Sequence, residues 1–187
     1  MSPLELAAVL LGVVNVTLVV RRSLWNYPFG LVMVALYAII FREAKLYSDA
    51  LLQVFFFVVQ IYGWANWSRS AADTGEVRVE RLAPTTLVRA LIGSGVAIVG
   101  WGWGMHRLTD AAYPWWDGAV AVLSVVAQVM MSRRLIENWL WWIAVDLLAI
   151  GLYAAKDLWL TAGLYVVFLV LATWGLIDWR RAERSAG

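Results

Sequence analysis

Seven apolar runs, separated by short charged clusters, dominate this chain of 187 residues. They cover residues 4–20, 25–41, 50–67, 87–105, 115–131, 139–155 and 158–179, each close to the roughly 17–25 residues that a helix needs to cross hydrocarbon. With 63% hydrophobic and 15% charged residues, against about 45–50% and about 25% in soluble domains, the chain lacks the polar side chains to cover its own surface. The apolar excess faces a bilayer. The expected fold class is therefore an all-α integral membrane protein with seven transmembrane helices. The 13 Trp and 7 Tyr suit that solvent, because amphipathic rings collect where hydrocarbon meets headgroups.

With no cysteine and one histidine, the chain has no disulfide scaffold, thiolate metal site or cysteine nucleophile, and neither a metal nor a cofactor is expected. A net charge of +2 places the arginines of the loops against anionic lipid rather than nucleic acid. Arg21-Arg22 separate the first two spans and Lys156-Asp157 the last two, so neighbouring spans form tight antiparallel hairpins. One long polar connection, residues 68–86, reads as the linker.

Alternate loops differ in charge. Arg21, Arg22, Arg69, Arg78, Arg81, Arg89, Arg133, Arg134, Arg180, Arg181 and Arg184 fall on one side, and only Arg42, Lys45, Arg107 and Lys156 on the other. Basic loops stay in the cytoplasm, which predicts an outside N-terminus and a cytoplasmic C-terminus. No Lys or Arg precedes the first span, so it does not read as a cleavable signal peptide.

A shift of 112 positions lays the first part of the chain over the last. It matches Arg21-Arg22 to Arg133-Arg134, Asn26 to Asn138, Leu46 to Leu158, Gly63 to Gly175, Trp67 to Trp179 and Arg69 to Arg181, and 13 of the 49 pairs from Arg21 to Arg69 are identical. A three-helix unit that starts outside ends inside, so a second copy in the same orientation requires one extra crossing. The expected arrangement is three helices, one linker helix and three helices, a parallel repeat of the kind some transporters use. Residues 1–67 form the first repeat. Residues 68–114 hold the cytoplasmic linker, linker helix and external loop, and residues 115–187 the second repeat and tail. Gly93, Gly95, Gly100, Gly102 and Gly104 make the linker helix smooth, and the Gly100/Gly104 spacing favours close helix packing.

Two helices carry polar faces. In the third span Asp49, Gln53, Gln60, Trp64 and Trp67 share a direction, away from Phe55 and Val59. A glutamine in hydrocarbon needs a partner for its amide, so this face is either interhelical glue or a binding wall; alignment with Trp64 favours the wall. Asp49 and Trp67 sit at helix ends, where capping and headgroup anchoring are expected. In the sixth span Trp139, Trp142, Asp146 and Tyr153 share a face. Asp146 is an acid placed near the bilayer midplane, a functional candidate by default, with a buried structural carboxyl as the plainer reading. Trp139 and Trp141 also fit an interfacial belt with Trp25, Trp115, Trp116, Trp159 and Trp179. Asn26 and Asn138, beside Trp25, start the second and sixth spans, where a cap is the first reading and a gate the second. His106 is expected in an external loop without a catalytic role.

The run Trp25-Asn26-Tyr27-Pro28-Phe29-Gly30, the stretch from Tyr47 to Trp64, and the segment from Glu137 to Asp146 with Tyr165 and Gly175 downstream resemble the PnuC family of bacterial vitamin transporters. The similarity covers nearly the whole chain. It implies a seven-helix, three-one-three fold in the inner membrane and a homotrimer. It also implies facilitated diffusion of nicotinamide riboside, trapped by cytoplasmic phosphorylation. The family's pattern of Trp, two residues, Trp, three residues, Asn or Asp falls on Trp139, Trp142 and Asp146. An ionised Asp146 only accepts hydrogen bonds, which leaves room for thiamine, whose aminopyrimidine donates. A vitamin-binding subunit of a multi-component transporter is the rival from another class. An intramembrane enzyme is disfavoured, since no His or carboxylate cluster, phosphate loop or Ser-His pair is present.

Overall fold

The computed structural model describes residues 3–43, 47–108 and 113–186. Among them the chain forms α1 (Pro3–Val20), α2 (Asn26–Glu43), α3 (Tyr47–Thr74), α4 (Pro84–Leu108), α5 (Pro114–Ser132), α6 (Asn138–Ala155) and α7 (Trp159–Ala186). Lys45, Leu46 and the side chain of Asp49 lie outside the described residues. All helices but α2 are long and apolar enough to cross a membrane, and α2 is shortened as an apolar run by Asn26, Arg42 and Glu43 at its ends. The protein is thus an all-α membrane protein whose seven helices follow the order expected from the sequence.

Helix ends depart from the hydropathy boundaries for local reasons. α3 runs past Trp67 to Thr74 because nothing in that polar stretch breaks a helix until Gly75, whose φ of 79° suits the left-handed residue after a helix end. The expected 68–86 linker is correspondingly shorter. α1, α5 and α6 stop differently: Arg22 (φ 53°), Arg134 (φ 61°) and Asp157 (φ 57°) take the same left-handed conformation without being glycine. That costs about 1–2 kcal/mol each. Bonds across the turn offset it: the amides of Ser23, Leu135 and Leu158 donate to the carbonyls of Leu18, Met130 and Tyr153 at 3.0, 3.1 and 2.8 Å. His106 falls in the last turn of α4 rather than in a loop, and is exposed.

The chain divides into two compact units. One comprises Met1–Val79, Ser132–Arg134 and Ile177–Gly187, with α2 packed between α1 and α3. The other comprises Glu80–Met131 and Leu135–Leu176. In the second unit Ala127, Met130, Leu135 and Trp141 form a buried cluster. The extended segment before α4 is pinned there too, the Ile136 amide donating to the Glu80 carbonyl at 2.9 Å and the Leu82 amide to Glu137 Oε2 at 3.1 Å.

Each unit repeats one local pattern at the 112-residue shift. Asn26 Nδ2 donates to the Ser23 carbonyl at 2.7 Å, and Asn138 Nδ2 to the Leu135 carbonyl at 2.6 Å. The next residue is an aromatic ring laid on a glycine: Tyr27 on Gly63, Trp139 on Gly175. Neither asparagine is an N-cap in the usual sense, since its amide gives a hydrogen bond back to the preceding turn instead of receiving one from the helix.

The tryptophans correct the expected interfacial belt. Trp67 and Trp179 are fully buried, tilted against each other at 5.7 Å, and Trp179 Nε1 donates to the Val20 carbonyl at 3.1 Å. Trp139 and Trp141 are buried, and half-buried Trp116 donates to the Leu148 carbonyl at 2.8 Å. Trp25, Trp115 and Trp159 are exposed. Indoles on packed helices are held by ring contacts and carbonyl acceptors, which hydropathy does not distinguish from headgroup contacts. Likewise Gly100 and Gly104 meet nothing within 4 Å among the described residues, whereas Gly102 lies against the Trp115 ring.

Gly63 and Gly175 test the repeated packing. A methyl group at Gly63 would lie 2.7 Å from the Tyr27 hydroxyl, and one at Gly175 2.5 Å from the Trp139 ring. Gly63→Ala and Gly175→Ala should each lower stability by about 1–3 kcal/mol, read as a lower thermal midpoint in detergent. An unchanged midpoint in either variant would remove that ring from the packing account.

Candidate functional site

Apolar helices expose their purpose where they bury polar groups, because hydrocarbon offers no partner for them. In the first unit such a place forms on α2 at Gly30. The missing side chain admits two amides: a methyl group built at Gly30 would overlap Gln60 Oε1 from α3 and come within 2.6 Å of Asn15 Nδ2 from α1. Asn15 is fixed by donating to the Asn26 carbonyl at 2.6 Å. Gln60 is only 6% exposed and makes no hydrogen bond to the described residues. One turn on, Trp64 lies parallel to the Tyr27 ring, with centroids 6.2 Å apart and planes 6° apart, and keeps 39% of its surface exposed. Tyr27 also meets Trp67 edge-on at 5.4 Å.

The structure thus brings Gln60 to Asn15 and Trp64 to Tyr27. Gln53, two turns earlier on α3, is partly buried without a hydrogen bond among the described residues. Asn26 is buried and Trp25, beside it, is 68% exposed, so the two residues read as a cap or gate face opposite surroundings.

In the second unit Asp146 is 3% exposed and has no hydrogen-bond or ion-pair partner among the described residues. Lys156, the basic residue that follows α6, is instead bonded to Asp117 at 2.9 Å. Trp139 covers Gly175, while Trp142 is half-buried and packs against the Ala127, Met130, Leu135 and Trp141 cluster. Tyr153 stacks on Tyr165 with centroids 5.3 Å apart. Asn138 is fully buried, and its Oδ1 has no partner among the described residues.

Sequence reasoning missed Asn15, Tyr27 and Gln128. Gln128 on α5 is buried and makes no hydrogen bond among the described residues. The signal was available for the two amides, since each is an amide side chain alone in its apolar run, a placement that calls for a partner. No cluster of metal-ligating residues occurs among the described residues. Amides that donate and accept, flat rings and one carboxyl can grip a planar polar or cationic molecule reversibly.

Comparison with known proteins agrees with this chemistry. The model of the nicotinamide mononucleotide transporter family matches residues 2–181. The nicotinamide riboside transporter PnuC of Escherichia coli is 29% identical over all of this chain and 89% of its own length. That of Neisseria mucosa is 33% identical over all of this chain and 75% of its own length. The riboflavin/roseoflavin transporter RibM of Streptomyces davaonensis is 29% identical over 91% of this chain and 81% of its own. The crystal structure of the vitamin B3 transporter PnuC superposes with a TM-score of 0.80 at 30% identity, covering 98% of this chain and 83% of that one.

A buried carboxyl without a partner among the described residues is a stability liability. Asp146→Asn, which removes the ionisable group but keeps the shape, should leave the thermal midpoint in detergent unchanged or raise it by about 2–4 °C, equivalent to about 1 kcal/mol. A marked fall would show that Asp146 is a structural bond former.

Proposed function

Because the chain belongs to the nicotinamide mononucleotide transporter family, known also as PnuC, and is a multi-pass vitamin transporter rather than an enzyme, we propose that it carries nicotinamide riboside. The supporting relatives at 29% and 33% identity bear that substrate in their names. The observation that carries the proposal is the burial of Gln60 and Asp146 in membrane-crossing helices without partners among the described residues. A planar pyridinium with a carboxamide has groups that suit each taken by itself: a positive charge for a carboxylate, and a donor and acceptor for an amide.

The proposed substrate contacts are Gln53, Gln60 and Trp64 on α3 and Trp139, Trp142, Asp146 and Tyr153 on α6, with Trp25, Asn26 and Asn138 as the gate. The rings hold the cation by stacking and cation–π attraction. Transport is facilitated diffusion across the bacterial inner membrane, made one-way by phosphorylation in the cytoplasm. The N-terminus is outside and the C-terminus inside, as the loop arginines indicate. The protein is a homotrimer, and the α4 face bearing Gly93, Gly100 and Gly104, which meets none of the described residues within 4 Å, is available to a second copy. The kinship with RibM favours riboflavin as a second reading, and thiamine remains the reading suggested by Asp146.

Purified chain in liposomes provides the test. Labelled nicotinamide riboside should enter until inside and outside concentrations match, at an initial rate unchanged by a proton ionophore, and an enclosed riboside kinase should convert this to accumulation. Trp142→Ala should weaken binding roughly tenfold or more, the loss expected of a desolvated cation–π contact. Binding without uptake would identify a partner-dependent binding subunit, and proton-driven accumulation would overturn facilitated diffusion. Preference for riboflavin or thiamine would reassign the substrate.

A further inference from the structure

We propose that Gly30 and Asn15 are positioning residues that act through Gln60, an inference that rests on Gln60 being a substrate contact. The Gln60 amide makes no hydrogen bond to the described residues, so packing alone decides where its donor and acceptor point. Gly30 lies beneath it and Asn15 beside it. Asn15 in turn is fixed by its bond to the Asn26 carbonyl, one turn before Gly30 on α2. A methyl group at position 30 would take the volume that Gln60 Oε1 fills, so it would have to displace the end of that side chain. The equivalent position in the second repeat is Trp142, so the repeat itself does not require a small residue there. The glycine serves the amide.

Binding titrations of nicotinamide riboside and thiamine to the purified full chain test this. Gly30→Ala should weaken nicotinamide riboside binding about tenfold and change its preference over thiamine. Gly30→Ala with Gln60→Ala should bind no worse than Gln60→Ala alone, because one shared interaction is lost only once. The double variant also restores room for the methyl group should Gly30→Ala alone fold poorly. Asn15→Leu, which adds no volume at position 30, should shift the same preference. The inference is overturned if Gln60→Ala weakens binding while Gly30→Ala and Asn15→Leu leave affinity and preference intact, or if the two losses simply add. Unchanged affinity in Gln60→Ala would instead remove Gln60 from the site, and this inference with it.

A separate observation carries a second inference: we infer that Arg22 and Arg134 form a reciprocal latch at the arginine-rich end of the first unit. Arg22 Nη1 is bonded to Asp178 Oδ2 at 3.0 Å. Arg134 donates through Nη1 to the Asn66 carbonyl at 3.0 Å and through Nε to the Arg78 carbonyl at 2.9 Å. Asn66 Nδ2 completes the second set by donating to the Ser132 carbonyl at 2.9 Å. The 112-residue shift takes Arg22 to Arg134 and Asn66 to Asp178. The loop arginine of each repeat therefore grips the same register position on the third helix of the other repeat, and the next residues along, Trp67 and Trp179, touch. Arg22 also lines a polar cleft of about 470 Å³ with Glu76, Arg78 and Glu183. A facilitator must open each end in turn, and partly exposed ion pairs hold weakly enough to release.

The cysteine-free chain permits one introduced reporter. Ser132→Cys places a thiol at a buried position in this unit, and its rate of reaction with a polar maleimide reports opening whatever the substrate. Asp178→Asn combined with Arg134→Gln should speed labelling roughly tenfold, as the open population rises with the loss of charge-assisted bonds. Exchanging charges by Arg22→Asp with Asp178→Arg should label slowly while either change alone labels fast. Equal rates throughout, or an exchanged pair as fast as its single variants, would overturn the latch without touching the transport reading.

Discussion

Hydrocarbon supplies no hydrogen bonds, so every polar group of a membrane chain must be met from within or by a ligand, at a cost of several kcal/mol when it is not. Most of this protein obeys. Thr17, Ser94, Ser124 and Thr173 each return a hydroxyl to the carbonyl four residues back. Trp179 takes the Val20 carbonyl near the end of α1, and Trp116 takes that of Leu148 in mid-helix. The left-handed turns at Arg22, Arg134 and Asp157 close the ends of α1, α5 and α6. Against that background, Gln60 and Asp146 are buried with no partner among the described residues, and the substrate reading rests on them.

Packing follows the same solvent logic. Lipid tails are as apolar as leucine, so helices associate by fitting surfaces together rather than by escaping water. Here the fit is ring on glycine: Tyr27 on Gly63, Trp139 on Gly175, Trp116 on Gly151 and Trp115 on Gly102. A flat ring recovers many dispersion contacts only if the facing helix presents bare backbone. Such contacts bury Trp139 and partly bury Trp116 within the helix packing, where a reading based on interfacial preference does not place them.

The spans were legible because hydropathy and charge act over many residues and survive local exceptions. Helix ends were less so: the polar tail of α3 is a good helix until Gly75, and an arginine in the left-handed region leaves no signature in sequence. Gly100 and Gly104 had the right spacing for packing, but spacing does not say which face a partner occupies, and Gly102 between them is the one used. At the candidate site, the face of α3 revealed Gln60 and the acid of α6 revealed itself. Asn15 and Gln128 were missed because a single polar residue makes no stripe. Its isolation in an apolar run signals that a partner is needed, but which residue is packed beside it only three-dimensional placement provides.

The comparison of the two repeats separates what builds the fold from what serves the substrate. Residues that shape the turns and helix contacts are shared at the 112-residue shift: Arg22 with Arg134, Asn26 with Asn138, Gly63 with Gly175, Trp67 with Trp179. The proposed substrate contacts are not. Gln53 corresponds to Tyr165, Gln60 to Ala172, Trp64 to Leu176, Trp142 to Gly30, Asp146 to Val34 and Tyr153 to Phe41. A duplicated frame is symmetric, but a small molecule need not be, so contacts proposed for a ligand are under no constraint to repeat. Duplication therefore supplies helices that pack in the same way twice, and selection on a single asymmetric ligand acts on positions where the copies are free to differ. By this criterion Trp139, whose counterpart Tyr27 makes the same ring-on-glycine contact, belongs first to the frame, while Gln60, Trp142 and Asp146 stand as the contacts proposed for a ligand.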